Sequence, residues 1–528
     1  MKKTLFFALA MASLSLHAQQ SEPISDRSFW QGKPDLAAVK SNLKDFKFSP
    51  DSKGDDPLSM AISNDASADV IKFLADQPGV SMKKDVHEGR TYLHSAVSKG
   101  NADATDILLK KGADMYYLDA HDQTALTYGG FMGSLKLPVL EVFVKNGLDV
   151  KKKYETKNNA DLLLLAAGSD QDFKITEYLI SKGLSINTVD KTGANAITYA
   201  AKYGNIEEIK KLIAKGVKAN DKDLISAAQG PFRGANKISI YQYLIDELKL
   251  KPTAVSENGQ NVLHIVGAKA NQDDIIAYLF SKGVDVNQVD KEGNTPFMNI
   301  CGTKSLAMVE LTLPKVKNIN AKNVKGETAL LKAVKGSTGK VVDLLIKNGA
   351  DASVTDKEGN TLAYHLIDGY QGAGGRGGFG GGRGGFGGGQ PGGQPGANRG
   401  NNPNGGSEQV KPQDDFAAKL NALKAKGVAF NTAQKDGNTL YHLAAAKNDL
   451  AMFKQLEGLG IDVNAKNKEG MTVLHKVALV AKDDAILKYL VSAGAKKDAV
   501  TDVNETAYEL AKENEFLSKG NVSVEFLK

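Results

Sequence analysis

The sequence predicts an all-α solenoid, a stack of helix pairs repeating at a spacing near 33 residues and interrupted once by a long glycine-rich insertion. Three observations predict it. Threonine recurs at Thr91, Thr124, Thr295, Thr328, Thr361, Thr439, Thr472 and Thr506, with Asn195 and Asn261 filling gaps, and the steps include 33 and 34 repeatedly and a single 78. A second column follows about 20 residues later, as Leu108-Leu109-Lys110-Lys111-Gly112, Tyr178-Leu179-Ile180-Ser181-Lys182-Gly183 and Leu344-Leu345-Ile346-Lys347-Asn348-Gly349. Third, 41% of the 528 residues are hydrophobic and 24% charged, enough apolar content to exclude disorder throughout. A unit this short cannot bury its apolar face alone, so neighbouring units must stack and share one core.

Taken from the amino terminus, Met1-Lys2-Lys3 is a short positive region ahead of an apolar stretch from Leu5 to Leu16, and Ala18 offers a small residue for cleavage. That pattern predicts an export signal over residues 1–18, too short to span a bilayer. No later segment reaches 18 apolar residues, so no membrane span is expected after signal removal. Residues 19–55 form an N-terminal segment in which Pro34 to Leu43 reads as a cap helix. From Asp56-Pro57-Leu58 onward, eleven to twelve units are expected, over residues 56–367 and 414–517, followed by a tail at 518–528.

Within each unit the logic is local. A threonine or asparagine beside a turn accepts from backbone N–H groups and starts the first helix. Apolar residues at helical spacing face the neighbouring units. Glycine after the second helix, as in Gly112, Gly183, Gly216, Gly283 and Gly349, suits a left-handed C′ position.

The turn-to-helix motif reads Gly89-Arg90-Thr91-Tyr92-Leu93-His94 in one unit. It returns as Gly437-Asn438-Thr439-Leu440-Tyr441-His442 and Gly470-Met471-Thr472-Val473-Leu474-His475. Together with the Leu-Leu-x-x-Gly-Ala-Asp ending at Asp114, it resembles the ankyrin repeat over nearly all of residues 56 to 517. The resemblance implies a turn and two antiparallel helices per unit, with partner proteins bound along the concave face and turn tips. Only Thr295-Pro296-Phe297 keeps the proline of the family pattern, and the unit around Lys222 to Leu250 has lost its turn motif.

The 78-residue step holds an insertion. Thr361 to Ile367 reads as a first helix and Phe416 to Lys426 as its second, and Gly372 to Gly406 between them contains 19 glycines. The segment 368–413 is therefore expected to be a flexible loop inside one repeat, since it cannot bury enough apolar area to order itself. Its Arg376-Gly377-Gly378-Phe379 and Arg383-Gly384-Gly385-Phe386 copies resemble RNA-binding segments, but a solvated linker is the simpler reading.

Chemistry is scarce. His94, His264, His442 and His475 occupy one motif position, where backbone bonding near the turn is expected rather than catalysis. His87 and His121 lie at turn tips without further metal ligands, and a single cysteine, Cys301, excludes disulfides and thiolate cages. Ser81-x-x-Lys84 and Gly336-Ser337-Thr338-Gly339-Lys340 match nucleophile and phosphate-loop fragments without their contexts. No catalytic residue, metal or cofactor is expected. Net charge is +6, but only six of the 67 basic residues are arginine, which argues against a nucleic-acid surface.

Lysine does recur. Lys99, Lys202, Lys269, Lys335, Lys447 and Lys482 come near the ends of first helices, and Lys111, Lys182, Lys215, Lys282 and Lys426 precede the glycine after second helices. Both series complement helix C-terminal dipoles. The first also predicts a basic row on the concave face, comprising Lys99, Lys202, Lys269, Lys335 and Lys447, with Tyr203 beside it and Arg90, Lys191, Glu292, Lys357 and Lys468 at the flanking tips. The expected function is a non-enzymatic, monomeric scaffold of the cell envelope that binds a protein partner, in the periplasm. The rivals are a secreted factor acting on another cell and an enzyme or metal site built across repeats.

Overall fold

A computed structural model describes residues 23–44, 46–232, 234–370 and 412–528. The export-signal segment, nearly all of the glycine-rich insertion and Arg233 lie outside them. By contact the chain divides into two units, one ending at Lys251 and one beginning at Pro252. Extended pairing among the described residues is confined to isolated bridges, such as His87 with Arg90 and Thr355 with Thr361.

The first unit opens with a short helix, Arg27–Gln31, and the cap helix Leu36–Asn42, inside the span read from sequence. Asp26 and Asp35 cap them, and buried Trp30 donates its indole N–H to the Ile24 carbonyl at 2.9 Å. Six helix pairs follow, beginning with Pro57–Ser63 and Ala68–Ala75. The sixth holds Asp221–Gln229 and Ile238–Gln242, the latter continuing as a π-helical turn through Glu247. The second unit holds seven pairs, from Val262–Val266 with Asp273–Ser281 to Ala507–Glu513 with Glu515–Lys519. The described residues thus carry thirteen pairs, more than the eleven to twelve expected, because two starts lie outside the threonine and asparagine column. Asp161 caps Leu162–Ala166 through Leu164 N–H, and Asn220 caps Asp221–Gln229. Near the end of the chain Leu527 is buried and Lys497 donates to the Phe526 carbonyl at 3.1 Å.

Threonine caps as expected: Thr124, Thr295, Thr328 and Thr361 each accept from the backbone N–H three residues on. Where histidine stands at that third position the arrangement changes. The Nδ1 atoms of His94, His264, His442 and His475 accept from the backbone N–H of Thr91, Asn261, Thr439 and Thr472 at 3.0–3.2 Å. That leaves Nε2–H to donate to a carbonyl of the next repeat: Gln123, Asn294, Met471 and Ala499 respectively, at 2.9–3.0 Å. Each imidazole therefore staples its own helix start to the following turn. Burial, opposed by these carbonyls, holds all four below the ordinary histidine range, so they remain neutral near pH 7. Replacing fully buried His264 by alanine orphans the Asn261 N–H and takes one of two donors from the Asn294 carbonyl, which keeps the Asp290 N–H. It should cost about 3 kcal/mol, read as a lowered urea midpoint at pH 7. An unmoved midpoint would show that the staple contributes nothing.

The turn tips form a second cross-link. Carboxylates such as Asp190 and Asp290 accept from the backbone N–H groups two and four residues later, closing each tip. Several consecutive tips then join through one backbone bond. In the first unit these are Ala120 N–H to Glu88 at 3.0 Å and Lys191 N–H to Asn158. In the second, Val324 N–H reaches Glu292, Lys357 N–H reaches Lys325 and Lys468 N–H reaches Asp436, at 2.8–2.9 Å. Side chains at the tips thus project from a rigid rail.

Candidate functional site

In the first unit, Lys99 ends the helix Tyr92–Lys99 and is exposed, and Lys191 is exposed at its tip. Arg90 behaves otherwise. Its guanidinium lies 2.9 Å from Glu88 and 3.2 Å from Asp119 and sits over the Tyr128 ring at 4.6 Å. It ties two tips together and is not offered to a partner, a correction to the flanking set. Tyr203 is corrected for the same reason. Its hydroxyl donates to the carbonyls of Gly130 and Phe131 at 2.8 and 2.7 Å, and its ring fills the space that a side chain at Gly168 would need. Burial pushes this phenol well above its ordinary value.

Lys202 is half-buried at the end of Ala196–Lys202. Its ammonium lies 5.7 Å from the centroid of the Phe131 ring, and Phe131 meets Phe232 at 5.0 Å between centroids. Burial and then the nearby Lys157 charge hold Lys202 below the ordinary lysine range. Sequence reasoning missed Phe131, Phe232 and Lys157. Phe232 lies in the repeat that lost its turn motif, and nothing in a local window places it against a residue about 100 positions earlier.

In the second unit, Lys269 is half-buried and held below its ordinary value by burial. Lys335 and Lys447 converge on Asp368. Lys335 Nζ lies 2.9 Å from the carboxylate, and Lys447 Nζ donates to the Asp368 carbonyl at 2.8 Å and the Tyr370 carbonyl at 3.2 Å. Burial opposes the Lys335 charge, but Asp368 outweighs it and holds this lysine above its ordinary value. A row free of acidic neighbours does not stand here, because Asp368 occupies the corresponding helix end in the intervening repeat. Glu292, Lys357 and Lys468 are exposed at the tips.

The fragments of catalytic motifs resolve into structural contacts. Lys84 is buried, and its ammonium bonds the Ser52 carbonyl at 2.8 Å and hydroxyl at 2.7 Å beside Asp56. The Gly339 N–H, which a phosphate loop would aim at an anion, donates to Asp415 at 2.8 Å. Among the described residues no cluster of three or more His, Cys, Asp or Glu converges as metal ligands, and no helix is long and apolar enough to cross a membrane.

A chain of stacked helix pairs with rigid tips has the architecture of a protein–protein interaction scaffold. Protein-family models described as ankyrin repeats match residues 31–119, 131–223 and 263–356, and a single-repeat model matches 436–468. The chain belongs to the ankyrin-repeat family. A fowlpox virus ankyrin repeat protein is 34% identical over 127 residues, 24% of this chain and 85% of that protein. The ankyrin repeat protein YahD of Escherichia coli is 29% identical over 208 residues, 38% of this chain and 86% of its own length. Mouse protein phosphatase 1 regulatory subunit 12A is 38% identical over 80 residues, 15% of this chain and 8% of that protein.

Proposed function

We propose that the protein is a non-enzymatic scaffold of the cell envelope, binding a partner protein along the first-helix ends and turn tips of its repeats. The observation that carries this reading is the tip rail. Charged side chains such as Lys191, Lys357 and Lys468 stand exposed on backbone bonded from repeat to repeat. Rigid presentation lowers the entropic cost of association, and charged tips speed encounter with a complementary surface. Export rests on the positive and apolar pattern of Met1 to Leu16.

The test uses the full chain in its own cells, with a photo-crosslinking residue at Lys357 or, as control, at exposed Lys72 of a second helix. Adducts with a distinct protein from the Lys357 position alone are expected, in an envelope fraction containing a chain trimmed after Ala18. Equal labelling from both positions would overturn the interface, and an untrimmed cytosolic chain would overturn export. Recovery in the culture medium would favour the secreted reading over the envelope one.

A further inference from the structure

The ends of the first helices of three successive repeats in the first unit contribute to one patch. Counting seven residues from each N-cap, the positions are Phe131 after Thr124, Gly168 after Asp161 and Lys202 after Asn195. Gly168 between them makes room for the Tyr203 ring, and the Lys202 ammonium lies 5.7 Å from the centroid of the Phe131 ring. The loop after Asp221–Gln229 then brings Phe232 onto the same ring. Phe232 and Met132, next to Phe131, remain 40% and 38% exposed.

The charge in this patch lacks an acid. Among the described residues the Lys202 ammonium makes a ring contact and no ion pair, whereas Lys335 at the matching position of another repeat has Asp368. The group that lies within electrostatic reach is a second lysine, Lys157, itself half-buried. A half-buried cation beside another cation is held at a cost that an incoming carboxylate would remove. The partly exposed aromatic faces beside it would cover an apolar side chain, and aromatic ring edges carry positive potential that also favours a carboxylate.

We propose that Lys202, with Phe131 and Phe232, forms a docking site for an acidic segment of a partner protein, one carrying carboxylates next to an aromatic residue. The proposal rests on the scaffold reading and names the chemistry of one of its contacts. The partner's carboxylate pairs with Lys202 and its aromatic side chain lies on the Phe131–Phe232 pair.

The probe is a fluorescein-labelled pentapeptide with one phenylalanine among four glutamates, compared with a twin carrying glutamine in place of glutamate. Anisotropy titrations use the full chain at low salt. The glutamate peptide is expected to bind at least tenfold more tightly than its twin. Lys202→Glu and Phe232→Ala are each expected to weaken it tenfold or more, and Lys72→Glu, an equal charge change elsewhere in the unit, to leave it within twofold. Lys202→Gln serves as the second variant should the reversal unfold the unit, which melting curves report. Equal binding of the two peptides, or wild-type binding by the Lys202 variants, would overturn the proposal. Crosslinked partners obtained from Lys357 alongside a negative peptide result would retire this site and leave the scaffold standing.

Discussion

Gly369→Ala is expected to destabilise the second unit by about 3 kcal/mol, at the upper end of what overpacking costs. The glycine ends the helix Leu362–Asp368 with an ordinary helical φ of −74°, so its role is space and not conformation. A Cβ there would lie 2.8 Å from the Lys335 Cα and closer still to the Lys335 carbonyl oxygen. The obstacle is backbone and cannot rotate away. Gly336 makes the same approach to the Gly302 carbonyl, at 2.6 Å, so glycines set how closely these helix ends pack. Alanine at 369 must push its helix from Ala329–Gly336 and loosen the Lys335–Asp368 pair. Stability in a solenoid is a sum of unit and nearest-neighbour terms. Weakening one interface should therefore lower the urea midpoint and split the transition, as followed by circular dichroism. Gly349→Ala is the contrast: at φ +89° with open space around it, backbone strain alone applies, costing about 1–2 kcal/mol. Equal effects from the two substitutions would refute the close-approach argument.

The repeat was legible because its signals are local and periodic. Thr328 and Thr361 cap the helices that their column predicts, and Gly112 and Gly183 take positive φ, at 86° and 92°, where the second column ends. The four motif histidines were legible as backbone-bonding groups, since one residue type at one position of several units implies a structural task. Which carbonyl each reaches was not, because it belongs to the next repeat. Pairs without their threonine were hard to count for a physical reason: an aspartate or asparagine caps as well as threonine does, so Asp161 serves without marking the column.

The partner-binding set was legible only in part. Exposure at Lys191, Lys357 and Lys468 follows from their place in tight turns. Arg90 and Tyr203 were misplaced because what holds them is remote in sequence: Asp119 is 29 residues from Arg90, and Gly130 is 73 from Tyr203. Tyr203 in particular fills a void made by Gly168, and a void leaves no trace in the sequence around the residue that fills it.

Between pH 6.5 and 8 the first unit is expected to lose stability as pH rises, and Glu208→Gln is expected to abolish that loss. Glu208 sits at the third position of Ile206–Ala214, where a surface carboxylate would suit the helix dipole. Here it is fully buried. One oxygen accepts from the Thr176 hydroxyl at 3.1 Å and the other has no partner. Burial first, and then the neighbouring Asp170 carboxylate with a smaller contribution from Asp172, push it up to about 8, while Thr176 and Lys211 pull the other way. In the unfolded chain the same group ionises near 4.5. The contribution of the neutral acid is therefore complete below about 4.5 and falls as the unfolded state sheds a proton that the folded state keeps. It is gone above about 8, a span on the order of 5 kcal/mol. Asp223, buried and pushed up to about 6, acts in the same sense but has finished titrating before the upper part of this window. The buried histidines act in the opposite sense and below their unfolded value of 6.5, where acid charges them only at the expense of the fold. The upper part of the interval from 6.5 to 8 thus isolates Glu208. Urea midpoints across that interval should decline for the parent chain and stay level for Glu208→Gln, which should be the more stable protein at pH 8.5. A parent chain with a flat profile there would mean that the carboxylate is ionised and compensated in the folded state.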